Sequence, residues 1–411
     1  MQEMGRRAVG ASRALARLST RRKNAILQGM AQALDEQRSA LQEANRLDLE
    51  AGRAAGLAAA MLDRLELTDA RIDGMIRGLL EVRALPDPVG KALRTWTRPN
   101  GLRIRKVRVP IGVIGIIYES RPNVTADAAA LCFKTSNAVI LRGGKEAVHS
   151  NRAIAEALQM GGARAGMPEH AVQLVQSTDR DAVRELVQMD AYVNLVMPRG
   201  GEGLIRAVVE MAHVPVIKHY KGVCQVYVDE SADLEKALAI AENAKCQRPG
   251  VCNAMETLLV HRAIAERYLP QLAETLRERG VELRGDDAAR QLVPWAKPAT
   301  EADWYEEYLD LILAVRVVPD IDEAIRHINT YGSQHSDAIV AESKSARNRF
   351  TKEVDSATVY VNASTRFTDG GEFGMGAEIG ISTDKLHARG PMGLEELTTY
   401  KYVIMGDGQV R

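Results

Sequence analysis

The pattern of apolar and polar positions changes character along the chain. Through residues 1–85, Ala, Leu, Ile and Met recur at spacings of three and four, which is typical of amphipathic helices. Thr68 is placed to cap one of these helices, which Pro86 and Pro88 then end. The stretch 95–109 carries a Pro-Asn-Gly turn and predicts a β-hairpin.

After the hairpin, short apolar runs alternate with helical segments. These runs are residues 111–117, 138–142, 171–175, 193–197 and 214–218. Nearly continuous apolar strands predict a parallel sheet that is covered on both faces, with ligands at the carboxyl ends of the strands. A second alternation of strands and helices follows, then an irregular Gly-rich region at 363–393 and a strand-like tail. We therefore expect an α/β fold.

Composition narrows the classes of function. Lys plus Arg and Asp plus Glu are both 54, so the chain has no overall basic footprint for nucleic acid. No apolar run approaches the roughly 20 residues that span a membrane, and no export signal is evident. The four cysteines form no CxxC pair, so no metal site is predicted and a reducing cytoplasm is expected.

Cys252 is the candidate nucleophile. It follows a Pro-Gly turn between the end of a predicted helix and the start of a predicted strand. A cysteine on such a loop is exposed and positioned, as a nucleophile requires, although a small apolar filler is the commoner role for a cysteine. Cys132 and Cys224 lie in apolar segments and fit a core, and Cys246 is the local rival.

Two glycine-rich turns follow predicted strands and open helices. Their residues are Arg142, Gly143, Gly144 and Lys145 in the first turn, and Arg199, Gly200 and Gly201 in the second. Free backbone N–H groups at a helix N-terminus suit a phosphate, and each turn adds a cation. Each turn alone is more often a simple connection, but two at the same edge of one sheet favour a dinucleotide.

Two further regions could bind an anion or an oxyanion. Asn123 either donates to an oxyanion or caps the helix that starts near Thr125, and capping is the commoner local role. The irregular region supplies hydroxyl, imidazole and guanidinium groups that suit an anionic substrate unless the loop is simply solvated. These groups belong to Ser364, Thr365, Arg366, His387 and Arg389.

Long blocks of the sequence resemble the aldehyde dehydrogenase superfamily over essentially the whole chain. The blocks are YESRPNVT, LRGGKE, QRPGVCNAMETLLV, YVNASTRFTDGGEFGMGAE and KLHARGPMGLEELTTYK. Within the superfamily they are similar to the branch that reduces an acyl phosphate. The resemblance implies an NADP-dependent enzyme that converts the small molecule L-glutamyl 5-phosphate to glutamate 5-semialdehyde and phosphate, the second step of proline biosynthesis.

The resemblance also implies an aldehyde dehydrogenase-like organisation with a parallel-sheet cofactor domain, an α/β catalytic domain and a β-arm. The expected boundaries are 1–94 and 110–222 for the NADP-binding domain, 223–396 for the catalytic domain, and 95–109 and 397–411 for the oligomerisation element. A homodimer or homotetramer is expected. The glutamate 5-kinase that makes the labile substrate is a candidate partner.

Individual residues take roles from the same resemblance. Cys252 matches the catalytic cysteine, and Asn123 matches the oxyanion asparagine, with Ser120 as the alternative in a gapless alignment. Arg142 and Lys145 fall where the adenosine ribose binds, and their charge suits a 2′-phosphate. Glu307 resembles the glutamate that bonds the nicotinamide ribose.

One departure from the superfamily pattern concerns water. Hydrolytic members carry a glutamate just before the second domain that activates water against the thioester. The corresponding stretch here, residues 217–222, reads Ile-Lys-His-Tyr-Lys-Gly and contains no acid. This absence fits an enzyme that exchanges its acyl group with phosphate.

Three alternatives remain open. A CoA-acylating aldehyde dehydrogenase also lacks the hydrolytic glutamate, and would bind CoA without stimulation by phosphate. A non-catalytic oligomeric scaffold is disfavoured by the intact Cys252 loop and both glycine turns. A cysteine hydrolase is disfavoured because no histidine is recognisably paired with Cys252 in the sequence.

Overall fold

The computed structural model describes residues 1–411, apart from the side chain of Ala60. The chain divides into two compact units. The first unit comprises Met1–Lys218, Gly374–Gly380 and Met392–Arg411, and the second comprises His219–Phe373 and Ile381–Pro391. The division falls at 218/219, four residues before the predicted boundary at 222/223, and the predicted oligomerisation element groups with the first unit.

The first unit begins with helices, as the spacing predicts. They are α1 (Gln2–Leu15), α2 (Thr20–Glu36), α3 (Arg38–Ala54), α4 (Ala59–Leu65) and α5 (Asp69–Ala84). The side chain of Thr68 accepts a hydrogen bond from the backbone N–H of Arg71 and so caps α5 as predicted. The predicted hairpin follows as β1 (Ala92–Thr97) and β2 (Arg103–Pro110).

A parallel sheet forms the centre of the first unit. Its elements in chain order are β3 (Val113–Tyr118), α6 (Asn123–Lys134), β4 (Ala138–Gly143), α7 (Val148–Arg164), β5 (Val172–Leu174), α8 (Arg180–Val187), β6 (Leu195–Arg199) and α9 (Glu202–Met211). The strand order is β5-β4-β3-β6, with parallel pairing. The strand predicted at 214–218 is wrong: the segment makes only one parallel bridge, Val196 to Val216. Pro215 lacks an N–H to extend that pairing.

The second unit is a second α/β layer. Its elements are β7 (Cys224–Val228), α10 (Leu234–Cys246), β8 (Met255–His261), α11 (Arg262–Glu278), β9 (Glu282–Gly285), α12 (Asp287–Leu292), β10 (Lys297–Pro298), β11 (Ile312–Val318), α13 (Ile321–Tyr331), β12 (Ser336–Val340), α14 (Lys344–Glu353), β13 (Thr358–Val361), β14 (Ile381–Ser382) and β15 (Gly390–Pro391). The main sheet has the order β10-β9-β11-β8-β7-β12-β13 and is parallel.

Both faces of this sheet are buried, as parallel sheets require. On one face Leu258 and Val260 of β8 belong to a cluster with α10 and α11, which includes Leu272. On the other face Tyr227 of β7 packs in a cluster with Phe350 of α14. This packing fixes the ends of the strands, and therefore the starting points of the loops that connect them.

The tail returns to the first unit. β16 (Thr398–Met405) pairs antiparallel with β2, so the sheet order is β1-β2-β16. The hairpin and the tail, which the resemblance grouped in one element, therefore form one sheet. No helix among the described residues is both long and apolar enough to cross a membrane.

Candidate active site

Cys252 lies on the loop between α10 and β8. The helix ends at Cys246 and the strand begins at Met255, which reproduces the predicted helix–turn–strand arrangement. The thiol of Cys252 is partly buried, whereas Cys132 and Cys224 are fully buried, as predicted. Burial raises the pKa of Cys132 and Cys224, so both stay protonated.

The backbone of Cys252 is held from the side of β7. A Cβ added to Gly222 would lie only 1.9 Å from the carbonyl oxygen of Cys252, so only glycine allows this close approach. The Sγ–H of Cys224 donates to the same carbonyl oxygen at 3.1 Å. The chain on either side of the start of β7 therefore fixes the position of the candidate nucleophile.

Two histidines that the sequence did not connect to Cys252 converge on it. One imidazole nitrogen each from His219 and His335, together with the Sγ of Cys252, lie within 4.8 Å of one another. The two rings are in edge contact, with centroids 5.6 Å apart. This pairing is not recognisable in the sequence, because the fold brings distant segments together.

The hydrogen bonds of these histidines constrain their protons. The Nδ1 of His219 lies 2.8 Å from the carbonyl oxygen of Ile381, which can only accept, so Nδ1 carries a proton. His335 is fully buried, and burial together with His219 lowers its pKa to about 3. Its Nδ1 lies 2.9 Å from the Oγ of Ser336. Its Nε2 is buried and has no hydrogen-bond partner among the described residues.

A chain of hydroxyl groups continues from His335. The Oγ of Ser336 lies 2.6 Å from the Oγ1 of Thr368, which in turn lies 2.8 Å from the phenol oxygen of Tyr360. Each hydroxyl can donate or accept, so the hydrogen bonds along this chain can all point toward His335 or all point away from it. The imidazole of His335 can therefore present either a proton or a lone pair at Nε2.

The predicted residues 364–366 are tied to the Cys252 loop through Asn253. Thr365 is buried and its hydroxyl donates to the carbonyl oxygen of Asn253 at 2.8 Å. The amide of Asn253 donates to the carbonyl oxygen of Thr368 at 2.9 Å. Ser364 caps the short 3₁₀ helix that follows it by accepting from the backbone N–H of Arg366. Ser364 and Thr365 thus shape the loop.

Arg366 supplies positive charge beside the cysteine. Burial lowers the pKa of Arg366 and the neighbouring Arg248 lowers it further, whereas the negative charge of a Cys252 thiolate raises it. The same attraction favours the thiolate form of Cys252. The Nε of Arg366 donates to the side chain of Gln247 at 2.8 Å. Sequence reasoning missed Arg248, although it lies close to Cys252 in the same motif.

Glu307 contacts the glycine that faces the cysteine. Its Oε1 accepts from the backbone N–H of Gly222 at 2.9 Å. The neighbouring Leu309 donates its N–H to the buried carboxylate of Glu256, which pairs with Lys245 at 2.5 Å. Burial lowers the pKa of Lys245 and raises that of Glu256 to about 7, so desolvation outweighs the attraction between the two groups. The pair links the segment of Glu307 to both ends of the Cys252 loop.

Arg389 and His387 differ in their surroundings. The guanidinium of Arg389 donates to the carboxylate and to the carbonyl oxygen of Asp355, each at 2.9 Å. Lys385 and Arg389 together hold the pKa of Asp355 below its usual value. His387 is exposed and adopts a positive φ of 69°. The structure therefore engages Arg389 with Asp355 and leaves its role in substrate binding a prediction.

The first unit contains a crevice of about 790 Å³ at the carboxyl ends of β3 and β4. Arg142, Gly144 and Lys145 of the first glycine turn line it. The guanidinium of Arg142 is mostly buried and donates to the carbonyl oxygens of Gly143 at 3.1 Å and Thr178 at 2.7 Å. Arg142 thus holds two turns together, and its Nε has no hydrogen-bond partner among the described residues.

Exposed cations on α8 complete the crevice. Arg180 and Arg184 line it together with the exposed Lys145. Sequence reasoning missed both arginines, although their spacing of four on a helix that follows a sheet strand places them on one face. Three exposed cations around one crevice suit a phosphate group.

The second predicted glycine turn is anchored by a carboxylate. Glu119, which also lines the crevice, accepts from the backbone N–H of Gly201 at 3.0 Å. A Cβ on Gly200 would lie 2.3 Å from the same carboxylate. Arg199 ends β6, and its carbonyl oxygen accepts from the N–H of Glu119 at 3.1 Å. The second turn therefore lies beside the crevice, at the end of the strand next to β3.

The crevice fits a dinucleotide on its own features. Small residues are required where the chain turns, since a Cβ on Gly143 would lie 2.1 Å from the amide nitrogen of Asn151. The buried Arg142 Nε still offers a donor, and the site lies where parallel sheets bind such ligands. Arg142, Gly144, Lys145, Arg180 and Arg184 are the residues that would hold the cofactor.

Asn123 does not cap a helix, so the capping interpretation is wrong. α6 begins at Asn123 itself, after Pro122, and the amide of Asn123 donates to Asp127 at 2.9 Å. Burial raises the pKa of Asp127 to about 6. The alternative, Ser120, has a positive φ of 42° and donates its hydroxyl to Glu146 at 2.9 Å. Both residues belong to the first unit, and their role toward an oxyanion stays a prediction.

Known proteins resemble this chain over its whole length. A family model described as the aldehyde dehydrogenase family matches residues 1–311. The gamma-glutamyl phosphate reductase of Moorella thermoacetica is 58% identical over 411 residues, which cover 100% of this chain and 98% of that protein.

Solved structures give the same result. The crystal structure of gamma-glutamyl phosphate reductase from Thermotoga maritima matches with a TM-score of 0.98 at 51% identity, covering 100% of this chain and 99% of that one. An acetylating aldehyde dehydrogenase from Geobacillus thermoglucosidasius matches with a TM-score of 0.69 at 19% identity, covering 100% and 97% of the two chains. The latter similarity shows a common fold alone.

Proposed function

The chain belongs to the aldehyde dehydrogenase family, and on that premise we propose that it reduces L-glutamyl 5-phosphate to L-glutamate 5-semialdehyde and phosphate. The observation that carries the proposal is the full-length identity of 58% to a gamma-glutamyl phosphate reductase. The Cys252 loop with its two histidines supplies the chemistry that such a reaction needs.

In the proposed mechanism Cys252 is the nucleophile. An imidazole nitrogen of His219 lies within 4.8 Å of the Cys252 sulfur and accepts the thiol proton, and the positive charge of Arg366 favours the thiolate. The sulfur bonds to the acyl carbon, the bond from that carbon to the phosphate oxygen breaks, and a thioester remains on Cys252. The nicotinamide cofactor that the family implies supplies a hydride to the acyl carbon when bound. The carbon–sulfur bond then breaks, and the proton on His219 returns to the sulfur.

The alternative reactions differ in the molecule that accepts the acyl group from Cys252, which is phosphate, water or CoA. Residues 217–222 contain no acid, so the glutamate that activates water in hydrolytic members is absent from that stretch. Such a base typically contributes about 10²–10⁴-fold. Phosphate is an anionic nucleophile at neutral pH and needs a cationic site instead. We assign that site to Arg366 and Arg248, with Ser364 and Thr365 shaping the loop.

The reverse reaction tests this assignment. With glutamate semialdehyde and NADP in a non-phosphate buffer, we expect one stoichiometric burst of NADPH, because the thioester forms but is not released. Steady turnover begins when phosphate is added, by roughly 10²-fold or more over the rate with water. CoA in place of phosphate is the control for the acylating alternative. Undiminished steady turnover without phosphate would show that water is activated, and the enzyme would then be hydrolytic.

The cofactor is proposed to be NADP. Lys145, Arg180 and Arg184 are exposed around the crevice of the first unit, and their charge suits a 2′-phosphate. Arg142 shapes the turn through its bonds to backbone carbonyl groups. Cys252 must be reduced to act as the nucleophile, and a reducing cytoplasm would keep it so.

The sheet β1-β2-β16 is proposed to pair subunits in a homodimer or homotetramer. β16 is an edge strand with Tyr400, Tyr402 and Ile404 exposed, and exposed apolar edges are templates for pairing. Sedimentation of Tyr402→Lys/Ile404→Lys should show a smaller species than the unchanged protein. Val410→Lys, which is exposed beyond the strand, is the matched control and should leave the assembly intact. An unchanged mass in the double variant would contradict this role. Association with glutamate 5-kinase stays a prediction.

A further inference from the structure

Lys245 and Glu256 form a buried ion pair that the proposed mechanism does not use. Lys245 is in the last turn of α10 and Glu256 is in β8, so the pair spans the two ends of the Cys252 loop. Both side chains are completely buried, and the Nζ of Lys245 lies 2.5 Å from the Oε2 of Glu256. Because apolar side chains of similar size often replace a buried ion pair without loss of stability, the pair is weak evidence for a stabilising role.

The second oxygen of Glu256 bonds a residue with an unusual backbone conformation. Its Oε1 accepts from the backbone N–H of Leu309 at 3.2 Å. Leu309 has a φ of 54°, in the left-handed region that few residues other than glycine adopt, and its side chain is 45% exposed. Strained backbone persists only where its surroundings hold it, and it is commonest at functional sites. Packing of an exposed side chain does not hold Leu309, whereas the bond to the buried carboxylate does.

The segment that contains Leu309 also contacts the loop of the nucleophile at two points. At the first, the Oε1 of Glu307 accepts from the backbone N–H of Gly222, which packs against the carbonyl oxygen of Cys252. At the second, the carbonyl oxygen of Leu309 lies beside Gly250, where an added Cβ would be 3.7 Å from it. The buried carboxylate therefore closes a ring of contacts that starts and ends at this loop.

We propose that Glu256 is a positioning residue for Cys252, and that Lys245 orients its carboxylate. With Oε2 held by Lys245, Oε1 faces the N–H of Leu309 and fixes the segment that supports the cysteine loop. Glu256 acts through this backbone and not on the reacting atoms. The kinetic part of the proposal rests on the proposed function, whereas the positional part does not.

Two double variants isolate the oxygen atom that accepts the N–H of Leu309. Lys245→Met/Glu256→Gln keeps an oxygen at position 256, and Lys245→Met/Glu256→Met removes it with little change in volume. Lys245 is replaced in both variants because its ammonium group would otherwise take the single oxygen of glutamine. Glu242→Gln/Arg279→Gln removes a more exposed ion pair of α10 and is the matched control.

Hydrogen exchange of the Leu309 amide measures the contact without reference to activity. The amide should exchange roughly tenfold faster in the methionine variant than in the unchanged chain, since a hydrogen bond to a charged group is worth about that factor. In the glutamine variant and in the control, the exchange rate should stay close to that of the unchanged chain.

Steady-state kinetics measure the consequence for the nucleophile. The kcat for semialdehyde oxidation with phosphate should fall about tenfold in the methionine variant, which is less than the 10²-fold that a full 1 Å displacement can cost. The glutamine variant and the control should keep the kcat of the unchanged chain. Thermal unfolding adds a second ranking: the glutamine variant leaves a buried amide N–H unpaired and should be the less stable of the two. A purely structural role would make the less stable variant the less active one, which is the opposite order.

The outcomes separate this proposal from the proposed function. Equal kcat in the two double variants, or equal exchange of the Leu309 amide, would overturn the positioning role and leave the reductase assignment untouched. If the methionine variant does not fold, Lys245→Met/Glu256→Leu takes its place. A chain without reductase activity that still shows the difference in amide exchange would contradict the proposed function and support the positional part.

Discussion

Gly144 in the first unit and Gly222 beside Cys252 in the second unit are both tightly packed, but against different kinds of atoms. At Gly144, an added Cβ would meet the carboxylate of Glu146 at 2.2 Å, which is the far end of a side chain. At Gly222, it would meet the carbonyl oxygen of Cys252 at 1.9 Å, which is backbone. A side-chain tip can rotate away, whereas backbone can yield only if the nucleophile moves. The turn at Gly144 can therefore adjust to an added side chain, whereas the loop at Cys252 cannot.

The contrast extends to charge. The crevice is lined by exposed cations and by the carboxylates of Glu119 and Glu146. The cysteine loop is held by buried contacts, from Cys224, Asn253 and the Lys245–Glu256 pair. The exposed charges of the crevice attract an anionic ligand over a distance and are screened by salt. The buried contacts of the second unit instead fix the position of the Cys252 loop. Substitutions in the two regions should consequently fail in different ways.

The largest effect is expected at the cysteine itself. Cys252→Ser removes the thiolate and should lower turnover by at least about 10³-fold, because the hydroxyl is a much weaker nucleophile at neutral pH. NADPH binding, followed by quenching of the nucleotide fluorescence, should be unchanged, since the crevice belongs to the first unit. Cys246→Ser should stay active. Near-normal turnover in Cys252→Ser would remove the basis of the proposed mechanism.

Gly222→Ala against Gly144→Ala tests the comparison directly. Displacement of Cys252 by about 1 Å should lower kcat by about 10²-fold in Gly222→Ala. Gly144→Ala should change kcat no more than about threefold, because the Glu146 side chain can rotate away. Steady-state kinetics with saturating cofactor separate the two variants. Equal losses in both would show that the glycine neighbours do not decide the outcome.

Cofactor discrimination should show the smallest effect. A charged hydrogen bond is worth roughly 1.5–3 kcal/mol, or about ten- to a hundred-fold in affinity. Lys145→Gln should weaken NADPH by about tenfold, at the lower end because the lysine is exposed, and should leave NADH nearly unchanged. Arg142→Leu should weaken both cofactors alike, because Arg142 bonds the turns. Fluorescence titration with both nucleotides is the measurement. Equal weakening by Lys145→Gln would contradict a 2′-phosphate contact.

The features that could be predicted are those that depend on the order of apolar and polar residues within a short stretch of sequence. Apolar periodicity gave the helices before Pro86, the strands of the first unit and the loop of Cys252. The helix α11, Arg262–Glu278, is amphipathic within a charged stretch, with Leu269, Leu272 and Leu276 at helical spacing. That signal was present in the sequence.

Other features have no local signal. His219 and His335 are distant from Cys252 in sequence, and only the order of β7, β8 and β12 in one sheet brings their segments together. Likewise, the charge of Arg389 predicted an anion site, but its partner Asp355 could be found only from the fold. The strand predicted at 214–218 failed because pairing depends on neighbours as well as on apolarity.

The sheet β1-β2-β16 joins strands that are synthesised at very different times. β2 emerges early from the ribosome, but its partner β16 is made only after the whole second unit. Until then one edge of β2 is without its strand, the amide of Asn137 lacks the carbonyl oxygen of Leu397, and Arg108 lacks Glu395. Until residues 398–405 are synthesised, the first unit of the nascent chain therefore exposes an unpaired strand edge that can pair with other chains. A chaperone that binds unfolded chains would have its largest effect during this interval.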